Sequence, residues 1–151
     1  MIECVASASP NDWKQVRHWL LDAVATADNY EIEDLYYSIM MGQTKLWLIL
    51  GDRILKGAAT STIEGQTCTI TFAGGIDGLE WAHTGVEVIT QDARDNHGTT
   101  RTKVVGRKGW QPTLSSIGFK HTQSVFVRDN DGYERHSDIQ SGLRRDIRGS
   151  I

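Results

Sequence analysis

The sequence predicts an α+β fold, a mixed and mostly antiparallel sheet flanked by helices, on three observations. Trp13, Val16, Leu20, Val24 and Ala27 recur at helical spacing and make one apolar stripe. Between 45 and 73, runs rich in β-branched residues are joined by two-residue turns, the pattern of antiparallel hairpins. The stretch from Lys103 to Phe119, KVVGRKGWQPTLSSIGF, reads as one organising unit. It is a buried strand, a Gly-basic-Gly-Trp turn, a short helix opened by Pro112, and a turn at Gly118-Phe119 into another strand.

In chain order, Ile2 to Ala6 is a short edge strand. Ser9 then caps a helix with Pro10 at its first position and Asp12 at its third, where an acid complements the dipole. Asp28-Asn29 interrupts the stripe. A second helix carries Ile32, Leu35, Ile39 and Met40 on one face and ends at Gly42. The meander follows as Lys45 to Leu50, a Gly51-Asp52 turn, Arg53 to Glu64, a Gly65-Gln66 turn, and Thr67 to Ala73. Gly57-Ala58-Ala59 suits a bulge or a close backbone approach. In the last of these strands Cys68, Ile70 and Phe72 alternate with small or polar residues, which predicts one shared face. The segment from Gly74 to Gly78 is expected to break the sheet. A helix from Leu79 to about Asn96 then carries Trp81, Ala82, Val86, Ile89 and Ala93 on one side and stops at His97-Gly98. After the organising unit comes a last strand, His121 to Arg128.

Composition bounds the possibilities. A chain of 151 residues, 39% apolar with five Trp, is one domain with a real core. Its net charge of −3 gives no reason to expect a nucleic-acid partner. Cys4 and Cys68 are too few and too far apart for a disulfide framework or a metal knuckle, and read as two buried thiols. The longest apolar run, Leu46 to Leu50, is far short of a membrane span, and MIECVASASP lacks the pattern of a secretion signal. The expectation is a soluble protein of the cell interior, or one assembled there. His18, His83, His97, His121 and His136 show no metal spacing. Asp92, Arg94 and Asp95 read as helix-surface charges, and Arg101, Lys103, Arg107 and Lys108 as a solvated basic face, with a clamp for a phosphate or a nucleic-acid backbone the competing reading. Trp110 reads as a core plug.

The order β-α-α-β-β-β-α-β-α-β, with Gly57-Ala58-Ala59, Gly74-Gly75, Gly106-Arg107-Lys108-Gly109-Trp110 and Gly118-Phe119 in sequence, resembles the GNAT (Gcn5-related N-acetyltransferase) superfamily. More narrowly it resembles a GNAT-like group common in tailed bacteriophages. The likeness spans about Ile2 to Arg128, so the division expected is a GNAT-like domain at 1–128 and a polar tail at 129–151. The resemblance implies acetyl-CoA lying where the fourth and fifth strands separate, its pyrophosphate on the amides that open the following helix. Carried onto this chain, the cofactor residues are Phe72, Ala73, Gly74, Gly75 and Gly78. Phe72 stands where the family has a polar residue, and Asp77 where it has a small one; a carboxylate there repels a pyrophosphate. The family's tyrosine acid, four residues before the Gly-Phe pair, is replaced by Leu114. Ser115 and Ser116 read as surface or capping residues, Glu64 and Glu80 as solvated carboxylates, and no catalytic residue is assigned.

The tail, DNDGYERHSDIQSGLRRDIRGSI, has few apolar residues. Ile139, Leu143 and Ile147 fall at four-residue spacing with Arg144, Arg145 and Arg148 beside them, a stripe suited to docking on a partner. Two functions are therefore expected. The first is a non-enzymatic phage virion or assembly component, without cofactor, that docks on other phage structural proteins or on further copies of itself. Its place is the virion or the host cytoplasm. The alternative is an acetyl-CoA-dependent N-acetyltransferase acting on a protein or small-molecule amine.

Overall fold

A computed structural model describes residues 1–25, 27, 30–105, 111–116, 118–122 and 125–129, of which 111–113, 120–122 and 125–129 are described in their backbone only. Trp110, Arg107, Lys108, the Asp28-Asn29 interruption and the tail from 130 onward, each the subject of an expectation above, lie outside the described residues. The elements run β1 (Ile2–Ser7), α1 (Pro10–Val24), α2 (Ile32–Met40), β2 (Lys45–Gly51), β3 (Ile54–Glu64), β4 (Thr67–Gly75), α3 (Gly78–His97), β5 (Arg101–Val105), α4 (Gln111–Ser116), β6 (Lys120–Thr122) and β7 (Val125–Asp129). The strands form one seven-stranded sheet in the order β1-β2-β3-β4-β5-β7-β6. Among the described strands only β4 and β5 pair in parallel, as α3 must cross back over the sheet to reach β5. No helix of the described residues is long and apolar enough to cross a membrane.

Two apolar clusters sandwich the sheet. One joins Trp81, Val86, Ile89 and Ala93 of α3 and Leu114 of α4 to Trp47, Ile49, Cys68, Ile70 and Val104. The other joins α1 (Trp13, Val16, Leu20) and α2 (Ile32, Leu35, Ile39) to Leu46, Ala58 and Phe72. Both helix starts are satisfied locally. Ser9 accepts from the Asn11 and Asp12 amides, and Glu31 and Asp34 form a reciprocal capping box at α2. Helix α1 ends at Val24, so Ala27 packs on the second cluster from beyond its last turn.

Four expectations change. Strand β4 runs through Gly74 and Gly75, which pair with Ala58 and Gly57, so the sheet breaks at Ile76 and not before. The last strand is a hairpin of β6 and β7, because β7 pairs with β5 while β6 pairs outward with β7. Lys103 is buried, on a strand enclosed by β4 and β7, so it is not part of a solvated face. Asp92 is more than a surface charge: its Oδ2 accepts from Lys45 Nζ at 2.9 Å and ties α3 to β2.

Candidate functional site: a gap between the central strands

Strands β4 and β5 stay paired only from Thr67–Arg101 to Ile70–Val104. Beyond that point β4 continues with β3, and β5 continues to Val105 with β7, so the two central strands part. A register shift causes the bend. Thr60 faces Phe72 while Ser61 faces Ile70, which leaves Thr71 as an extra residue in β4.

Thr60, fully buried, holds this bulge. The Phe72 amide donates to Thr60 Oγ1 at 3.2 Å, and the Thr60 and Thr71 hydroxyls bond to each other at 2.7 Å. The extra residue also reverses the side-chain alternation. Cys68 and Ile70 face the α3 cluster, whereas Phe72 turns to the α1/α2 cluster and stacks on Tyr30, with centroids 5.4 Å apart and planes 16° apart. The expected shared face of Cys68, Ile70 and Phe72 is thus broken at the parting. Burial, and secondarily the charge of Asp34, raise the Tyr30 phenol pKa above its ordinary value.

The far end of β4 is shaped by glycines. A Cβ on Gly57 would lie 2.8 Å from the Gly74 carbonyl oxygen and from the Trp81 ring, and one on Gly74 would lie 2.6 Å from the Trp19 carbonyl oxygen. Gly75 adopts φ +153°, and a Cβ there would lie 2.3 Å from the Lys56 carbonyl oxygen. Lys56 is itself an extra residue, in β3, between the Ile49–Gly57 and Leu50–Leu55 pairs. Its carbonyl accepts from the Ile76 amide at 2.8 Å, and Trp81 Nε1 donates to the Ile76 carbonyl at 2.8 Å. The start of α3 is pinned to the sheet by these bonds.

Asp77 caps α3 in a left-handed conformation without a side-chain capping bond, and its carboxylate lies 3.6 Å from Lys56 Nζ. The carboxylate expected to repel an anion is therefore partly neutralised. Phe72, Ala73, Gly74, Gly75 and Gly78 all line the parted half of β4 or open α3, so the structure brings these positions together. The room left by Gly74 and Gly75 is taken up by Trp19 and Lys56, however, and Phe72 is buried. Gly78 and Leu79 open the first turn of α3, where the Glu80 amide already donates to the Asp77 carbonyl at 2.9 Å, and Lys56 Nζ lies beside the cap at Asp77.

The other positions separate. Glu80 is exposed near the gap, while Glu64 is exposed at the β3–β4 turn, the opposite end of the sheet. Ser115 and Ser116 are exposed, and Leu114 is buried against α3. Among the described residues no group of three His, Cys, Asp or Glu is placed to hold a metal. A cleft of about 690 Å³ lies at the end away from the gap, under the C-terminus of α3, where Lys45 and Asp92 meet. Sequence reasoning missed Thr60, Thr71, Lys56 and Tyr30; the only signal was the threonine-rich alternation of two adjacent strands.

No family model matches the sequence, and no curated protein matches it. Solved structures do share its fold. FeeM, an N-acyl amino acid synthase from uncultured soil microbes, is 10% identical with a TM-score of 0.65, covering 87% of this chain and 92% of its own. An N-acetyltransferase from Staphylococcus aureus Mu50 is 13% identical with a TM-score of 0.61, covering 86% and 98%. The PaiA N-acetyltransferase from Thermoplasma acidophilum, solved with coenzyme A, is 15% identical with a TM-score of 0.58, covering 84% and 96%. The chain has the GNAT acetyltransferase fold.

Proposed function

We propose that this protein binds acetyl-CoA at the parting of β4 and β5 and transfers its acetyl group to an amine. The observation that carries the reading is the coincidence of the Thr71 bulge, the end of β4–β5 pairing at Ile70–Val104 and the pinned N-terminus of α3 within one short stretch of chain. Acetyl-CoA supplies an activated thioester when bound. Lys56 and the first amides of α3 would hold its pyrophosphate, and the gap, bounded by Thr71 to Gly75 and Val105, would seat its acyl arm. This reverses the order of the two functions expected from the sequence, because the fold is shared with N-acyl-transferring proteins. The phage subgroup enters only as part of the second reading.

That second reading is a non-enzymatic phage particle component whose tail docks on neighbouring proteins. Its support is specific: Phe72 and Leu114, at positions where the resemblance calls for polar residues, are both buried in the core. Calorimetric titration with acetyl-CoA separates the two. The acetyl-transfer reading expects micromolar binding, tightened about five-fold in Asp77→Asn, since removing one unit charge beside an anion is worth roughly 1 kcal/mol. Asparagine keeps the left-handed cap that Asp77 adopts. An absence of heat at millimolar acetyl-CoA would leave the particle reading.

A further inference from the structure

We propose that the cleft under the C-terminus of α3 is the seat of this chain's own C-terminal segment, residues 139–148. The inference is independent of the acetyl-transfer reading, because the cleft lies at the end of the sheet away from the β4–β5 parting. Among the described residues it measures about 690 Å³, and its floor is apolar, made by Ile39, Leu46, Ile63 and Ile89. Its polar groups are largely paired with protein already. Lys45 Nζ donates to Asp92 at 2.9 Å, Trp47 Nε1 donates to Ser61 Oγ at 2.9 Å, and the Ser38 and Thr44 hydroxyls bond to each other. What the cleft offers an occupant is therefore apolar area more than open polar partners.

Chain geometry supplies the occupant. β7 ends at Asp129 opposite Arg101, Arg101 stands opposite Thr67, and Thr67 pairs with Glu64, next to Ile63 of the cleft. The chain thus leaves the sheet at the cleft's own end. From β7 to β3, across β5 and β4, is three strand spacings, about 14 Å. The stretch from Asp129 to Ile139 can span about 33 Å when extended, enough to reach the cleft. Ile139, Leu143 and Ile147, at four-residue spacing, bring apolar side chains to match the floor. Arg144, Arg145 and Arg148 outnumber Asp146, and α3 matches them with Asp92 on the cleft wall and the exposed Asp95 beyond it. Lys45 offsets only Asp92. A second copy's tail would meet the same surface, but a tethered segment binds at a far higher effective concentration.

The test is limited trypsin digestion of the full-length protein, with cleavage after Arg144 timed against cleavage after Arg135 by mass spectrometry. Both rates are normalised to those of a synthetic peptide of residues 129–151. In wild type, cleavage after Arg144 should be about ten-fold slower than after Arg135, at any protein concentration. Ala8→Arg, at an exposed position lining the cleft, should abolish that protection and leave the circular dichroism spectrum unchanged. Gln43→Arg, also exposed and lining the cleft, takes its place if Ala8→Arg does not fold. Equal normalised rates in wild type overturn the proposal and leave the tail free for neighbouring proteins. Protection that survives in the folded variant also overturns it, since the segment is then held elsewhere. Protection that grows with protein concentration overturns it in favour of a second copy's tail.

Discussion

The two halves of β4 differ in what surrounds them. From Thr67 to Ile70 the strand is paired on both sides, and Cys68, Thr69 and Ile70 are buried. From Thr71 to Gly75 it pairs, among the described residues, with β3 alone, carries a bulge and ends in two glycines pressed against Trp19 and Lys56. The first half is ordinary core, where hydrophobic area decides which residues fit. In the second half the backbone itself is close-packed and one edge has no strand partner among the described residues. There a few hydrogen bonds and the lack of a Cβ decide the shape. The parting of β4 from β5 is thus made by backbone geometry, with little side-chain machinery.

The largest expected effect strikes the second half. Gly75→Ala forces a Cβ against the Lys56 carbonyl oxygen at a φ that L-residues avoid. It should cost about 4 kcal/mol, read as a melting temperature lower by roughly 10 °C. A neutral result would mean that the close approach relaxes and that the gap's rim is pliable. This also makes Gly75 a poor place for a binding test, since any change there is first a folding defect.

Thr60→Val comes next. Valine keeps the shape but leaves the Phe72 amide and the Thr71 hydroxyl without the Thr60 oxygen. A loss of about 2 kcal/mol in urea unfolding is expected, with acetyl-CoA binding weakened further than stability alone accounts for. Unaltered binding in a destabilised variant would separate the bulge from the site.

At neutral pH the smallest effect belongs to the first half. Burial raises the Cys68 thiol from its ordinary 9.0 to about 12; the Asp92 charge adds to this and Lys45 opposes it. Burial alone raises Cys4 to about 12. The unfolded chain therefore loses these protons first. The stability they contribute is intact below pH 9 and is lost as pH rises from about 9 to 12. Native protein at pH 8 should resist thiol-alkylating reagents, and Thr60→Val should resist as well if the first half of β4 holds independently of the bulge. Rapid Cys68 labelling in that variant would show the two halves to be one unit.

Much of this fold was legible in the sequence, for a physical reason. Helical stripes, the Ser9-Pro10 start of α1 and the Gly51-Asp52 and Gly65-Gln66 turns are local signals, each set by a few neighbouring residues. Even the tight spot at Gly57 was foreseeable, because three small residues in a strand leave room for something to approach. The glycines at 74 and 75 were misread as a sheet break. Glycine signals close approach as well as turning, and only the partner strand tells which.

The sequence by itself determined the order of elements as far as α4, the faces of the helices, the two buried thiols and the GNAT-like architecture. Tertiary structure alone decided where β4 and β5 part, that Phe72 leaves the face of Ile70, and that Lys56 comes to rest beside Asp77. These depend on the register between strands. One extra residue in a strand reverses every side chain beyond it, and no local pattern in a single strand records which residue is the extra one.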